Sequence, residues 1–368
     1  MKVALVHEHL AQDGGAEKVL RVFQNLYPEA PTYTLLYDKK EASPAFAGKD
    51  IRTSFIQRLP WGVKKYKWFL LLMPSAIESF DFSEFDVVLS SASAFAKGVI
   101  TRPKTVHICY CHSPTRYLWS DTHSYVEELS YNRVIKKIIP YYLSRLRMWD
   151  TLAANRVDEF IANSQTIQKR IHKYYRRDSA VILPPVDTTN FSIAEKTGDY
   201  YLIGGRLVAY KRYDLAVRAF SKLGIPLKIF GEGPEYQKLR EMAKPNIEFL
   251  GKVGGEDLKK LYSEAIAFIH PQEEDFGITA VEAMASGRPV IAYAAGGALE
   301  TVVAGQTGVF FDDQEWEALA DTVIRFKPEK FNPQAIKNHA FEYDTEKFKE
   351  RIKKFVENTY LKYQEKIK

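Results

Sequence analysis

Two cysteines among 368 residues are too few for a disulfide framework, and their placement rules out a bridge between them. Cys109 and Cys111 lie two apart in the apolar run from Thr105 to Cys111. On a strand they share a face but cannot close an unstrained disulfide. A buried, reduced thiol pair of a cytoplasmic protein is the expectation. No Cys/His group has the spacing of a metal site. The longest unbroken apolar run, Trp68 to Pro74, falls far short of the roughly 20 residues that cross a bilayer. Met1-Lys2 leads directly into the strand-like Val3-Ala4-Leu5-Val6, so neither a leader peptide nor a membrane span is expected. The GxGxxG fingerprint is missing, which counts against a dinucleotide-dependent oxidoreductase. Internal repeats and low-complexity tracts are missing as well.

What is present is the composition of a globular protein, 46% hydrophobic and 27% charged, in a chain long enough for two domains. The net charge of +6 is unevenly spread. Residues 57–75 hold Arg58, Lys64, Lys65 and Lys67 among Trp61, Tyr66, Trp68, Phe69 and Leu70–Leu72, with no acid. Residues 132–149 hold Arg133, Lys136, Lys137, Arg145 and Arg147 beside Ile138, Ile139, Tyr141, Tyr142 and Trp149, again with no acid. Such segments suit an interfacial helix against anionic headgroups. They equally suit buried aromatics fringed by solvated lysines, and both readings stay open. No nucleic-acid recognition motif accompanies the charge.

Apolar runs alternate with helical periodicity along the chain. Strands are expected at Lys2–His7, Val87–Ser90, Thr105–Cys111 and Glu159–Asn163, with helices at Glu17–Leu26, at Tyr141–Arg156 and from Ser164. The polar, aperiodic stretch 187–199 marks a boundary. Beyond it strands are expected at Tyr200–Ile203, Leu227–Phe230, Ile247–Leu250, Ala267–His270, Val290–Ala292 and Gly308–Phe311, with helices between them. Two such α/β series predict doubly wound parallel sheets facing a central cleft. The predicted division is 1–190, 195–343, and a charged amphipathic helix over 344–368.

Three stretches carry chemistry. Asp13-Gly14-Gly15-Ala16-Glu17 follows the first strand, where paired glycines expose backbone amides to an anion; a plain turn fits equally well. Gly205-Arg206 and Lys211 follow the first strand of the second series. Cations there sit near a helix start, a poor place for them unless an anion binds. Glu274 precedes a helix and Glu282 falls on its second turn, while Gly277, Ile278 and Thr279 offer free amides at its start.

Gly205-Arg206 with Lys211, Glu274 and Glu282 around Phe276-Gly277, Ser286-Gly287-Arg288-Pro289-Val290, and Gly296-Gly297 with Glu300 together resemble glycosyltransferase family 4, of the GT-B fold. The resemblance runs over essentially the whole chain and is strongest from Tyr201 to Phe311. Gly14 to Glu17 and Cys-His-Ser-Pro-Thr-Arg-Tyr-Leu-Trp at 111–119 look most similar to bacterial mannosyltransferases of surface-polysaccharide assembly. The resemblance implies a retaining, metal-independent hexosyltransferase with no bound cofactor. Its donor would be a nucleotide-diphosphate sugar, GDP-mannose foremost, and its acceptor a saccharide, lipid-linked if the basic segments touch an anionic membrane. Arg206 and Lys211 would neutralise the diphosphate, where other transferases use an Asp-x-Asp-bound metal. Glu274 would hold sugar hydroxyls, Glu282 the ribose, and the amides of Gly277, Ile278 and Thr279 the phosphate. Gly14 and Gly15 would lie near the phosphates, His112 near the sugar, and Gly231, Lys252 and Val253 near the base. His112 also reads as a packing histidine. A UDP-sugar transferase shares these features; a sugar-nucleotide epimerase and a non-catalytic glycan-binding protein are the other readings.

Overall fold

The computed structural model describes residues 1–122, 126 and 133–366. They form two compact units, Met1–Leu183 with Phe348–Lys368, and Pro184–Lys347. The first is built on seven strands: β1 (Val3–His7), β2 (Thr32–Thr34), β3 (Ile51–Thr53), β4 (Val87–Ala92), β5 (Val106–Cys111), β6 (Glu159–Ala162) and β7 (Ala180–Val181). Their order is β3-β2-β1-β4-β5-β6-β7, all parallel. The second has β8 (Tyr201–Gly204), β9 (Leu227–Phe230), β10 (Ile247–Gly251), β11 (Phe268–His270), β12 (Val290–Tyr293) and β13 (Gly308–Phe311). Their order is β10-β9-β8-β11-β12-β13, also parallel.

The pleat explains why these runs are nearly continuously apolar. In the first unit Ala4, Val6, Val88, Cys109 and Cys111 join one core layer. Their neighbours Val3, Leu5, Val87, Leu89, Ile108 and Tyr110 join the other. Both faces are covered, so neither phase of the alternation is free to be polar. The two thiols share a face, buried and free. The helix Thr345–Lys366 sends Phe348, Ile352 and Val356 into the second layer, Phe348 stacking on Phe23 at 6.0 Å.

Several elements differ from expectation. The helix expected from Tyr141 is Arg133–Asn155 and runs through Pro140; burial of Leu143, Leu146 and Ala153 offsets the amide that proline removes. The units part at Leu183/Pro184, ahead of the polar stretch 187–199. Val186 is held in the second unit by its N–H to Tyr343 O (2.9 Å) and its carbonyl to Thr345 N (3.1 Å). Helices Met73–Glu78, Trp316–Arg325 and Pro333–Ala340 were not expected.

The acid-free segments are largely outside the core. Trp61 and Trp68 are 64% and 61% exposed, and Arg58, Lys64, Lys65, Lys67, Leu71 and Leu72 are exposed beside them. On the helix Arg133–Asn155 the outward stripe is Ile138, Tyr141, Arg145, Met148 and Leu152, recurring every three or four residues. Trp149 instead turns inward, its indole N–H donating to Glu78 Oε1 at 2.7 Å. Asn132 and the Arg133 side chain lie outside the described residues.

Candidate functional site

In the second sheet the chain steps from β8 to β10 on one side and from β11 to β13 on the other. Strand order therefore reverses between β8 and β11, the place where open α/β sheets bind ligands at their carboxyl ends. Gly205 follows the end of β8, and His270 ends β11. Here Lys211, from the turn Ala209–Lys211, meets Glu274, from the loop after β11: Nζ to Oε1 is 2.9 Å, with both side chains mostly buried. Burial pushes the Lys211 ammonium down, but the Glu274 charge and hydrogen bond, with Tyr213 and Tyr210, together outweigh it and the net direction is up. Burial pushes Glu274 up, and Lys211, His270 and hydrogen bonds outweigh that, so its carboxyl is held down. Both groups are charged at neutral pH.

Around this pair sit polar atoms with no partner among the described residues: Tyr213 OH, His270 Nε2, Gln272 Oε1 and Thr279 Oγ1. Buried polar groups are nearly always bonded, so four orphans in one place describe a surface built for a polar ligand. Gly205 (φ +125) stands among them; a Cβ there would lie 3.2 Å from Tyr213 OH and 3.4 Å from Lys211 Nζ. Gly277 (φ +89) is the cap of the helix Ile278–Ala285, and a Cβ on it would lie 3.2 Å from His270 Nε2. The sequence reading missed His270, Gln272 and Tyr213. A histidine ending the apolar run Ala267–Ile269 was the available signal for the first.

The other expected residues fall into distinct roles. Arg206 is exposed and makes no ion pair or side-chain hydrogen bond among the described residues. Glu282 is buried, one carboxylate oxygen accepting from Tyr262 OH at 3.0 Å. The Phe276 side chain is buried, its ring packing on Tyr343 at 5.6 Å. Gly296 and Gly297 back the loop after β11: Gly297 N–H donates to Glu274 O at 2.7 Å, and Cβ atoms on either glycine would strike the backbone of Glu274 or Phe276. Gly231 N–H donates to Gly251 O at 2.6 Å, stitching the ends of β9 and β10. Lys252 is exposed and Val253 half-buried in the loop after β10.

In the first unit the reversal lies between β1 and β4. Glu8, just past β1, is buried, and its carboxylate accepts the N–H groups of Ser93, Ala94, Phe95 and Ala96 at 2.7–3.1 Å. His112 follows β5, with Nε2 2.8 Å from Ser91 Oγ. Ser91 Oγ is also 3.1 Å from His7 Nδ1, and His7 Nε2 is 3.5 Å from Glu17 Oε1. Gly14 caps the helix Gly15–Leu26, its N–H donating to Glu17 Oε2 at 2.9 Å. Much of the 111–119 motif is an anchor. Thr115 Oγ1 (2.7 Å) and Trp119 Nε1 (2.8 Å) donate to buried Asp150, which also pairs with Lys97 at 2.5 Å and accepts from Tyr175 OH at 2.8 Å.

Buried histidines stay neutral in both units, His107 in the first and His270 in the second among them. Burial, with the Arg156 charge, pushes His107 down to about 3; burial pushes His270 down to about 4 against the pull of Glu274. The unfolded rings protonate near 6.5, so below that pH the unfolded chain binds more protons. Stability is full above this value and falls as pH drops toward 4. By pH 5 each ring should cost its unit about 2 kcal/mol. Urea titrations at pH 7.5 and pH 5 measure this, and His107→Gln should remove that ring's share.

The family model for Glycosyltransferase Family 4 matches residues 14–190, and that for Glycosyl transferases group 1 matches residues 186–343. The chain belongs to the glycosyltransferases. Its two parallel-sheet α/β units are those of the GT-B fold. A mannosylfructose-phosphate synthase of Agrobacterium fabrum is 30% identical over 55% of this glycosyltransferase and 50% of its own length. A GDP-mannose-dependent alpha-mannosyltransferase of Corynebacterium glutamicum is 38% identical over 29% of this chain and 26% of its own. The chain thus spans half or less of these curated relatives. Among solved structures, Anabaena HepE in complex with UDP superposes with a TM-score of 0.71 at 18% identity, covering 97% of this chain and 100% of that one. Among the described residues no helix is long and apolar enough to cross a membrane.

Proposed function

We propose that this glycosyltransferase moves mannose from GDP-mannose, with retention and without metal, to a saccharide carried on a lipid. The observation that carries the reading is the buried Lys211–Glu274 pair ringed by Tyr213 OH, His270 Nε2, Gln272 Oε1 and Thr279 Oγ1, four atoms with no partner among the described residues. A cation beside several uncommitted hydroxyl, amide and imidazole groups suits a ligand that is part anion and part polyol. Lys211 and Arg206 neutralise the diphosphate and the charge that grows on it as the glycosidic bond breaks. Glu274 holds sugar hydroxyls, Glu282 the ribose, and the amides of Gly277, Ile278 and Thr279 receive an outer phosphate. His112 attends the sugar. The leaving phosphate takes the acceptor's proton, so no side chain serves as nucleophile.

Mannose is favoured by the activities named for the Agrobacterium and Corynebacterium relatives. A UDP sugar is the second reading, favoured by the nucleotide in the HepE structure. Incubation with GDP-mannose and with UDP-glucose, in EDTA, decides. GDP-mannose should give a product that keeps the donor's anomeric configuration. Inversion, or a strict need for Mg²⁺, would count against the mechanism.

The lipid carrier is inferred from the exposed Trp61, Trp68, Ile138 and Tyr141 interleaved with Lys64, Lys65, Lys67 and Lys137. Such apolar exposure is uncommon on a free surface, and each basic residue near an anionic leaflet contributes about 1 kcal/mol. Co-sedimentation should rise with anionic lipid and fall with salt. Changing the four lysines to glutamate should abolish it; unchanged binding would remove the membrane from the account.

A further inference from the structure

Between β1 and β4, four side chains form an unbroken line from Glu17 through His7 and Ser91 to His112, and donor–acceptor arithmetic fixes its direction. Glu17 is surrounded by donors: Gly14 N–H at 2.9 Å on one oxygen, Gln12 Nε2 at 3.2 Å and His7 Nε2 at 3.5 Å on the other. An ionised carboxylate accepts from all three, so a neutral His7 carries its proton on Nε2. His7 Nδ1 is then an acceptor, and the Ser91 hydroxyl donates its single hydrogen there across 3.1 Å. Ser91 Oγ has nothing left to give His112 Nε2 at 2.8 Å, so that nitrogen must be the donor. The proton of a neutral His112 sits on Nε2, and its Nδ1 keeps a lone pair with no partner among the described residues. The backbone that carries the ring is fixed: His112 N–H donates to Ala92 O (2.8 Å) and its carbonyl accepts from Asn163 Nδ2 (3.0 Å), while the ring packs edge-to-face with Tyr110 at 5.2 Å.

We propose that Glu17 is a positioning residue which, through His7 and Ser91, sets the tautomer of His112 so that its Nδ1 accepts a hydrogen bond from a substrate hydroxyl. The substrate half of this statement rests on the transferase reading above; the relay itself does not. Two electrostatic facts agree with it. Burial pushes the Glu17 carboxyl up, yet hydrogen bonds, the one from His7 foremost, hold it down at about 2. Burial pushes His112 down to about 3, so it is neutral in working conditions.

The line can be reversed by one atom. In Glu17→Gln the Gly14 N–H still needs an acceptor, so the new carbonyl stays there and the new NH₂ faces His7 Nε2. His7 must then hold its proton on Nδ1 and donate to Ser91. Ser91 donates to His112 Nε2, and the His112 proton moves to Nδ1, turning the acceptor into a donor.

Nitrogen-15 spectra of histidine-labelled protein read this directly, with His112→Asn supplying the assignment. Wild type should carry the His112 proton on Nε2, and Glu17→Gln should carry it on Nδ1. In a Ser91→Ala background Glu17→Gln should no longer move the His112 signals. Turnover of Glu17→Gln should fall about 10²-fold, with the donor's KM changed much less. A wild-type proton on Nδ1, or a His112 tautomer indifferent to Glu17→Gln, would overturn the inference. Because the spectra need neither donor nor acceptor, an intact relay in a protein that transfers no sugar counts against the transferase reading alone.

Discussion

Replacing Lys211 with methionine should lower turnover by about 10³-fold, the scale of losing a preorganised charge that grows in importance toward the transition state. It should also destabilise the second unit by about 3 kcal/mol, because Glu274 is left buried without its cation. The two effects separate in the double variant Lys211→Met/Glu274→Gln. With both charges gone the desolvation penalty goes too, so urea midpoints should recover most of the loss while activity stays lost. Arg206→Ala should show the other combination, unchanged stability and about a 10²-fold drop in turnover, because the guanidinium is exposed with no protein partner among the described residues. Near-wild-type kinetics for both variants would remove the diphosphate from this site.

The largest purely structural effect should come from Gly231→Ala. At φ +110 the new Cβ would stand 1.8 Å from Gly205 O, a backbone atom with no rotamer to retreat into. Either the end of β9 or the Gly205 turn must move, and Gly205 N–H is bonded to Phe230 O at 3.1 Å. The second unit should lose more than about 3 kcal/mol, and the Lys211 side chain should lose its place beside Glu274. Gly224→Ala is the control. Its φ is also positive, at +71, but nothing lies within 4 Å of the new atom, so it should cost only about 1 kcal/mol. If the two substitutions proved equally mild, the close packing of β8 and β9 turns would not be what positions the site.

Much of the architecture was legible because both sheets are covered on both faces. Continuous apolar runs such as Val87–Leu89 and Val106–Cys111 can then be little other than buried parallel strands. Ser164 was readable as a helix start for a local reason, its Oγ accepting from Ile167 N at 3.2 Å. Thr32–Thr34, Ile51–Thr53 and Ala180–Val181 were not, because two or three residues are too few to show any period. At the site, charge and glycine gave Arg206, Lys211, Glu274 and Gly277 from local context. His270 and Tyr213 were silent, since a polar residue beside an apolar run looks like core until its unbonded atom is seen. Glu17, His7, Ser91 and His112 come from separate elements, and only the sheet order, which sets β1 beside β4 and β4 beside β5, brings them into line. The outward face of Arg133–Asn155 was ambiguous for a similar reason: composition gives the apolar stripe, but only the fold says which side is covered.

Calorimetric titration of GDP-mannose into the protein, in EDTA, with wild type and Lys211→Met side by side, tests the central claim most directly. Wild type should bind one donor per chain without metal and prefer it to UDP-glucose. Lys211→Met should bind at least about tenfold more weakly, each tenfold being 1.4 kcal/mol. Binding that appeared only with added Mg²⁺, or that was equal in the two proteins, would contradict the account.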